Sequence, residues 1–390
     1  MNMLSRAQNE RRAISETTNH HQDLEKALLL CVRKSRKNIE RLADQPKSAA
    51  WAADGNYFAF PEGFYDIGNW TSSFFTGMAL LAWRETEDEF FLKQTLRLAP
   101  FYREKVFQRF RDTHHDLGFL YSLYSVALYK LTAEPAHREI ALRAAAVLAR
   151  RFNPLGNFIR AWGCMDTEEH ANMAIIDSLM NLPLLYWASN ESGNPAFRDI
   201  AVRHADTVLK YFIRPDYSVI QALRFDLKTG QPLAPDSFCG HSTRSYWARG
   251  AAWAIYGFGL SYACTRNEKY VQAAAKLAKQ FIAQLDNEAV PVWDFRLPPG
   301  KPRTRDASAA AIAVCGLQEL ARHHAADTDA VLAKDRLLNR LCREDCLDST
   351  PECPGLLKCA YGDQPAYSSW GDYFLMEALV RDLKGVEAFW

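Results

Sequence analysis

The chain has 390 residues, 48% hydrophobic and 24% charged, with a formal net charge of +1; this is the balance of a globular protein with a sizeable core. Near-neutral charge, with Lys and Arg spread along the chain, excludes the basic stripe that nucleic-acid binding requires. No apolar run approaches the ~18 residues of a membrane span, and the polar N-terminal segment lacks the apolar stretch and cleavage site of a secretory leader, so a cytoplasmic location without a membrane partner is expected.

A flexible tail is expected over residues 1–20. Hydrophobic periodicity then predicts twelve amphipathic helices, over 22–44, 71–85, 89–107, 115–131, 136–152, 170–191, 195–212, 245–265, 268–286, 306–324, 328–342 and 369–383. Strand-like alternation is confined to 218–225 and 290–293, both inside loops. Most even-numbered helices are followed by very short turns and most odd-numbered ones by long loops, the pattern of helical hairpins. Six hairpins without a recurring sequence motif predict one all-α domain over 1–390, a closed (α/α)6 barrel rather than an open solenoid. Even helices would lie inside and odd helices outside, with the long loops forming a mouth at one end.

The distinctive side chains gather where long loops enter inner helices: Trp70 and Thr71, His114, His115 and Asp116, Trp247 and Arg249, Asp306 and Ser308, and Trp370, Gly371 and Asp372. Asp177 falls in the first two turns of its helix. Converging helix N-termini present positive dipole ends to one mouth, which favours an anion. Thr71 and Asp306 read as plain N-caps. Asp116 reads either as a first-turn carboxylate or as a catalytic one. Asp177 is flanked by Ile175, Ile176, Leu179, Met180 and Leu182; there, desolvation would raise its pKa and let it hold a proton near neutrality. Two carboxylates facing one mouth suggest glycoside chemistry. Trp247 offers a stacking face. Arg249 offers a fork for a substrate carboxylate, or else neutralises Asp177 or Asp116.

Other chemistries lack their motifs: there is no G-x-S-x-G, Walker A, G-x-G-x-x-G or H-E-x-x-H. Nine cysteines, an odd number without repeating spacing, suit free thiols in a reducing compartment. Cys342, Cys346, Cys353 and Cys359 are separated by three, six and five residues, not by the tight knuckles of a zinc site. Neither metal nor cofactor is expected.

The segments WTSSFFTGMALLAW, HHDLGFL, IIDSLMNLPLLYWAS, WARGAAWAIYGFGLSY, VPVWDF, RDASAAAIAVCGLQEL and WGDYFLMEAL, running from Trp70 to Leu379, resemble in the same order the unsaturated glucuronyl hydrolases of glycoside hydrolase family 88. The resemblance implies a six-hairpin barrel without cofactor. It implies removal of a Δ4,5-unsaturated uronic acid from the non-reducing end of lyase-generated oligosaccharides, by hydration of the C4=C5 double bond. Asp177 would be the general acid and base, and Asp116 the second carboxylate. Trp247, Arg249, Trp70, His115 and Phe75 would line the sugar site. Gln221 stands where the family carries a His, Cys239 where it often carries a Gln, and Phe75 where it often carries a Trp; His241 offers an imidazole close to Cys239. These departures bear on specificity or rate. The runner-up resemblance is to the unsaturated rhamnogalacturonyl hydrolases of family 105. A reading of another class is a non-catalytic oligosaccharide-binding protein. A monomer or homodimer is expected.

Overall fold

The computed structural model describes residues 3–59, 61–323, 328–359 and 362–390, with side chains from residue 21 onward except Thr328. The backbone of residues 3–20, expected as a flexible tail, is helical and continuous with the helix expected over 22–44. The helices are α1 (Met3–Asp44), α2 (Ser72–Thr86), α3 (Glu89–Leu96), α4 (Ala99–Phe107), α5 (Leu117–Tyr121), α6 (Ala127–Thr132), α7 (Pro135–Ala149), α8 (Leu182–Ser192), α9 (Pro195–Tyr211), α10 (Ala248–Thr265), α11 (Glu268–Ala283), α12 (Ala307–His323), α13 (Thr328–Leu341) and α14 (Ser369–Lys384). A π-helical turn, Ser122–Val126, joins α5 to α6, and a 3-10 turn, Ile176–Asn181, leads into α8.

The inner elements close a ring: α2 packs on α5, α5 on the 3-10 turn and α8, the 3-10 turn on α10, α10 on α12, α12 on α14, and α14 back on α2. They are buried along nearly their whole length, whereas outer helices such as α9 and α11 bury one face. This is the expected (α/α)6 barrel. Among the described residues no helix is long and apolar enough to cross a membrane.

Four of the short turns share one device. The inner helix ends on Thr86, Thr132, Ser192 or Thr265, whose hydroxyl bonds the carbonyl four residues back and accepts the amide two residues on. The intervening residue is left-handed: Glu87, Ala133, Gly193 and Arg266 have φ of 55°, 57°, 72° and 57°. Asp88, Asn194 and Asn267 then cap the next outer helix with their side chains.

Several boundaries differ from the sequence reading. The helix expected over 89–107 is two helices, because Pro100 has no N–H to give the Leu96 carbonyl. The helix expected over 170–191 begins as a strand and a 3-10 turn. The strand Met173–Ile175 pairs antiparallel with Ala222–Phe225, which pairs antiparallel with Pro232–Asp236. Pro183 has no N–H for the Leu179 carbonyl, and Leu182 N–H bonds it instead in the tighter i−3 manner. Of the expected strand 290–293, only Val292 forms a bridge, an isolated one with Arg305.

Candidate active site

Loops at the mouth enclose a cavity of about 510 Å³. It brings together Asp116, Asp177, Trp247, Arg249, Gln221, Cys239, Trp70 and His115. Phe75 and His241, also expected here, are not among its lining residues. Phe75 is buried in the core against Tyr57 and Phe58, since its place on α2 faces the loop that precedes the helix. His241 is exposed, and its backbone N–H is held by Asp294 Oδ2 at 2.9 Å.

Asp116 takes the N-cap position of α5, yet its side chain caps nothing. It is buried, with Oδ1 3.2 Å from His115 Nε2. His115 Nδ1 faces the hydroxyl of Ser178 at 2.8 Å and the amide nitrogen of Asn181 at 3.4 Å. Nδ1 therefore accepts, which places the ring proton on Nε2, toward Asp116. Burial holds His115 neutral, well below its ordinary pKa. Burial, reinforced by the charge of Asp177, pushes Asp116 up to about 8.

Asp177 lies on the 3-10 turn, not on the α-helix expected there. The residue is partly buried, but its Oδ2 is wholly so and has no hydrogen-bond partner among the described residues. The indole nitrogens of Trp247 and Trp253 are likewise buried without partners. Trp253 N–H approaches Asp177 and favours its charged form, without reaching hydrogen-bond geometry. Burial dominates and raises Asp177 to about 6 against the pull of Arg249.

Arg249 is fixed by its neighbours. Its guanidinium lies 4.6 Å from the Trp247 ring and 4.9 Å from the Trp370 ring. Nη1 is 3.3 Å from Asp306 Oδ2. Asp306 also caps α12, accepting Ala309 N–H at 3.1 Å; its expected capping role is present, with an ion pair added. Thr71 sits at the N-cap of α2 but forms no side-chain cap bond. Trp70 stacks on Trp370 at 5.3 Å and 21°. Gln221 Oε1 accepts the backbone N–H groups of Phe238 and Cys239, the latter at 2.9 Å, so it shapes the loop that carries Cys239.

Sequence reasoning missed Trp162, Gly163, Cys164, Glu169 and His170, which also line the cavity. Arg151, buried behind them, donates to the carbonyls of Thr113, Arg160, Ala161, Trp162 and Gly163. One guanidinium thus ties this loop to the segment leading into Asp116. Among the described residues no group of three or more His, Cys, Asp or Glu side chains is placed to hold a metal ion.

Comparison with known proteins agrees with this architecture. Residues 35–319 match the model of Glycosyl Hydrolase Family 88. The chain is 33% identical over 344 residues to the unsaturated glucuronyl hydrolase of Bacillus sp. (strain GL1), covering 83% of this chain and 89% of that one. It is 33% identical over 381 residues to the unsaturated chondroitin disaccharide hydrolase of Streptococcus pyogenes serotype M1, covering 95% and 93%. The crystal structure of the Bacillus sp. GL1 enzyme superposes with a TM-score of 0.86 at 30% identity, over 94% of this chain and 98% of that one. The chain belongs to glycoside hydrolase family 88.

Proposed function

We propose that this enzyme removes a Δ4,5-unsaturated uronic acid from the non-reducing end of an oligosaccharide by hydrating the C4=C5 double bond. The observation that carries the reading is the Asp177 carboxylate, with its buried, unpartnered oxygen, sharing a cavity with a second raised carboxyl and one anchored guanidinium. Arg249 supplies the charge for the substrate carboxylate, and Trp247 and Trp70 supply faces for the ring.

Two carboxyls that titrate at about 6 and about 8 hold one proton between them in the intervening window. Asp177 delivers a proton to C4 and withdraws one from the water that adds at C5. The C5 hemiketal opens by cleavage of its bond to the ring oxygen, leaving a ketone at C5. The hemiacetal so formed at C1 collapses to an aldehyde and releases the aglycone as an alcohol. His115 holds Asp116, whose carboxyl couples to the titration of Asp177. The nine cysteines are free thiols, which supports the reducing cytoplasm as the place of action.

The test is loss of the substrate's conjugated-alkene absorbance. Wild-type enzyme should consume it, and Asp177→Asn should retain fold and binding while losing ~10²–10⁴-fold in turnover. Near wild-type turnover by the Asn variant would remove Asp177 from the mechanism. Binding of the disaccharide by wild type without alkene loss would leave an oligosaccharide-binding protein.

A further inference from the structure

Charge is distributed unevenly through the cavity. Among the described lining residues Arg249 is the single Lys or Arg. It is deep, its side chain 8% exposed, and lies beside Asp177. The shallow part contains Trp162, Glu169 and His170. The Glu169 side chain is 73% exposed, with its Oε1 3.7 Å from His170 Nε2. The guanidinium of Arg160 is occupied by the carbonyls of Trp162 and Glu169. Arg111 at the same rim is paired with Asp166 at 3.2 Å. Glu168, next to Glu169, is exposed. Phe238, 47% exposed on the loop that carries Cys239, stands edge-on to Trp162 at 4.8 Å and 87°.

A substrate with one carboxylate uses the one deep cation. A second anionic group on the adjoining sugar would enter a space that offers an aromatic shelf and an acidic edge. We infer that the outer subsite takes an uncharged aglycone sugar, lying against Trp162 and Phe238, and that Glu169 discriminates against sulfated partners. This rests on the activity proposed above and adds the class of aglycone to it. Apolar sugar faces gain from the shelf, while a sulfate meets the like charge of Glu169.

The experiment measures kcat/KM for the unsaturated chondroitin disaccharide without sulfate and with sulfate at position 6 of its aminosugar, on wild type, Glu169→Gln and Glu169→Lys. The expected result is faster turnover of the unsulfated substrate. The sulfated-to-unsulfated ratio should then rise roughly fivefold in Glu169→Gln and further in Glu169→Lys, the size expected for a charge pair in a wet site. Higher salt should raise the wild-type ratio and leave that of Glu169→Gln nearly flat, because screening acts on charge and not on shape. Equal or faster turnover of the sulfated substrate by wild type overturns the inference and leaves the proposed activity standing. So does a ratio unmoved by either substitution, since discrimination would then be steric. Turnover of neither substrate would instead overturn the activity itself.

Discussion

Asp177 holds an ionisable group where burial outweighs the contacts that favour its charge, and this has a cost that depends on pH. The folded-state pKa values of Asp177 and Asp116 lie at about 6 and about 8, above an ordinary carboxyl. The folded chain therefore binds more protons than the unfolded one between the ordinary carboxylate range and those values. Stability is fullest below that range and is lost as pH rises through 6 and 8. Asp177→Asn should thus be more stable than wild type at pH 8, on the order of 2 kcal/mol, and by a smaller margin at pH 5, where only part of the proton difference has accrued. Thermal unfolding at the two pH values checks this; a variant less stable at pH 8 would mean that Asp177 is a structural anchor. The two titrations predict a two-limbed pH–rate profile, which Asp116→Asn should reduce to a single limb near pH 6 by removing the upper one. Two limbs in that variant would assign the upper one to another group. At this scale the sequence was legible where a charged residue broke an apolar pattern, as Asp177 does. It was not legible over Trp162 to His170, which has no periodicity. There the placement depends on the carbonyl bonds of Arg151, a residue distant from Glu169 and His170 in the chain. Phe75 was misplaced because resemblance assigned it a role without fixing which side of α2 it faces.

The 3-10 turn that carries Asp177 is held by two glycines on neighbouring inner helices. A Cβ on Gly118 would lie 2.2 Å from Asn181 Cα, and one on Gly257 would lie 2.5 Å from Leu179 Cβ. Gly118→Ala cannot be absorbed by a flexible side chain, because it meets backbone. It should displace α5 against the turn, cost about 1–3 kcal/mol, and lower kcat more than it raises KM. Denaturant unfolding and steady-state kinetics check both; an unchanged kcat would show that the two carboxylates tolerate relative movement. The sequence pattern gave the existence of this element but not its type, since Ile, Leu and Met at these spacings suit α and 3-10 geometry alike. Pro183 was the readable signal for a tighter turn. The hairpin turns were more legible than their sequences suggest. Thr-Glu-Asp, Thr-Ala-Glu, Ser-Gly-Asn and Thr-Arg-Asn share a hydroxyl, a left-handed residue and a polar third residue, a repeat of chemistry rather than of letters.

Closure of the ring was inferred from alternating loop lengths, and the packing of α14 on α2 bears it out. What fills the ring was not inferable. Trp390 enters it and packs on Phe119 of α5 at 5.8 Å, Tyr256 of α10 at 6.5 Å and Phe374 of α14 at 5.9 Å. Its indole N–H reaches Glu377 Oε2 at 2.8 Å. Glu377 also accepts from Tyr256 and Tyr373. Phe119 in turn touches Trp70 and Trp253, so this packing adjoins the wall of the cavity that Trp70 lines. Trp390→Ala should destabilise by about 3 kcal/mol, read as a lower urea midpoint. A midpoint that does not move would mean the ring packs as well without it.

The central claim is that Asp177 brings the proton to C4. The most direct measurement is turnover in heavy water, with the product's C4 examined by nuclear magnetic resonance as the alkene is consumed. The account predicts one deuteron at C4 per alkene lost, in a single configuration set by the face that Asp177 addresses, with the signal falling in step with turnover in Asp177→Asn. Cleavage that leaves C4 without deuterium, or fills both of its positions equally, would contradict it.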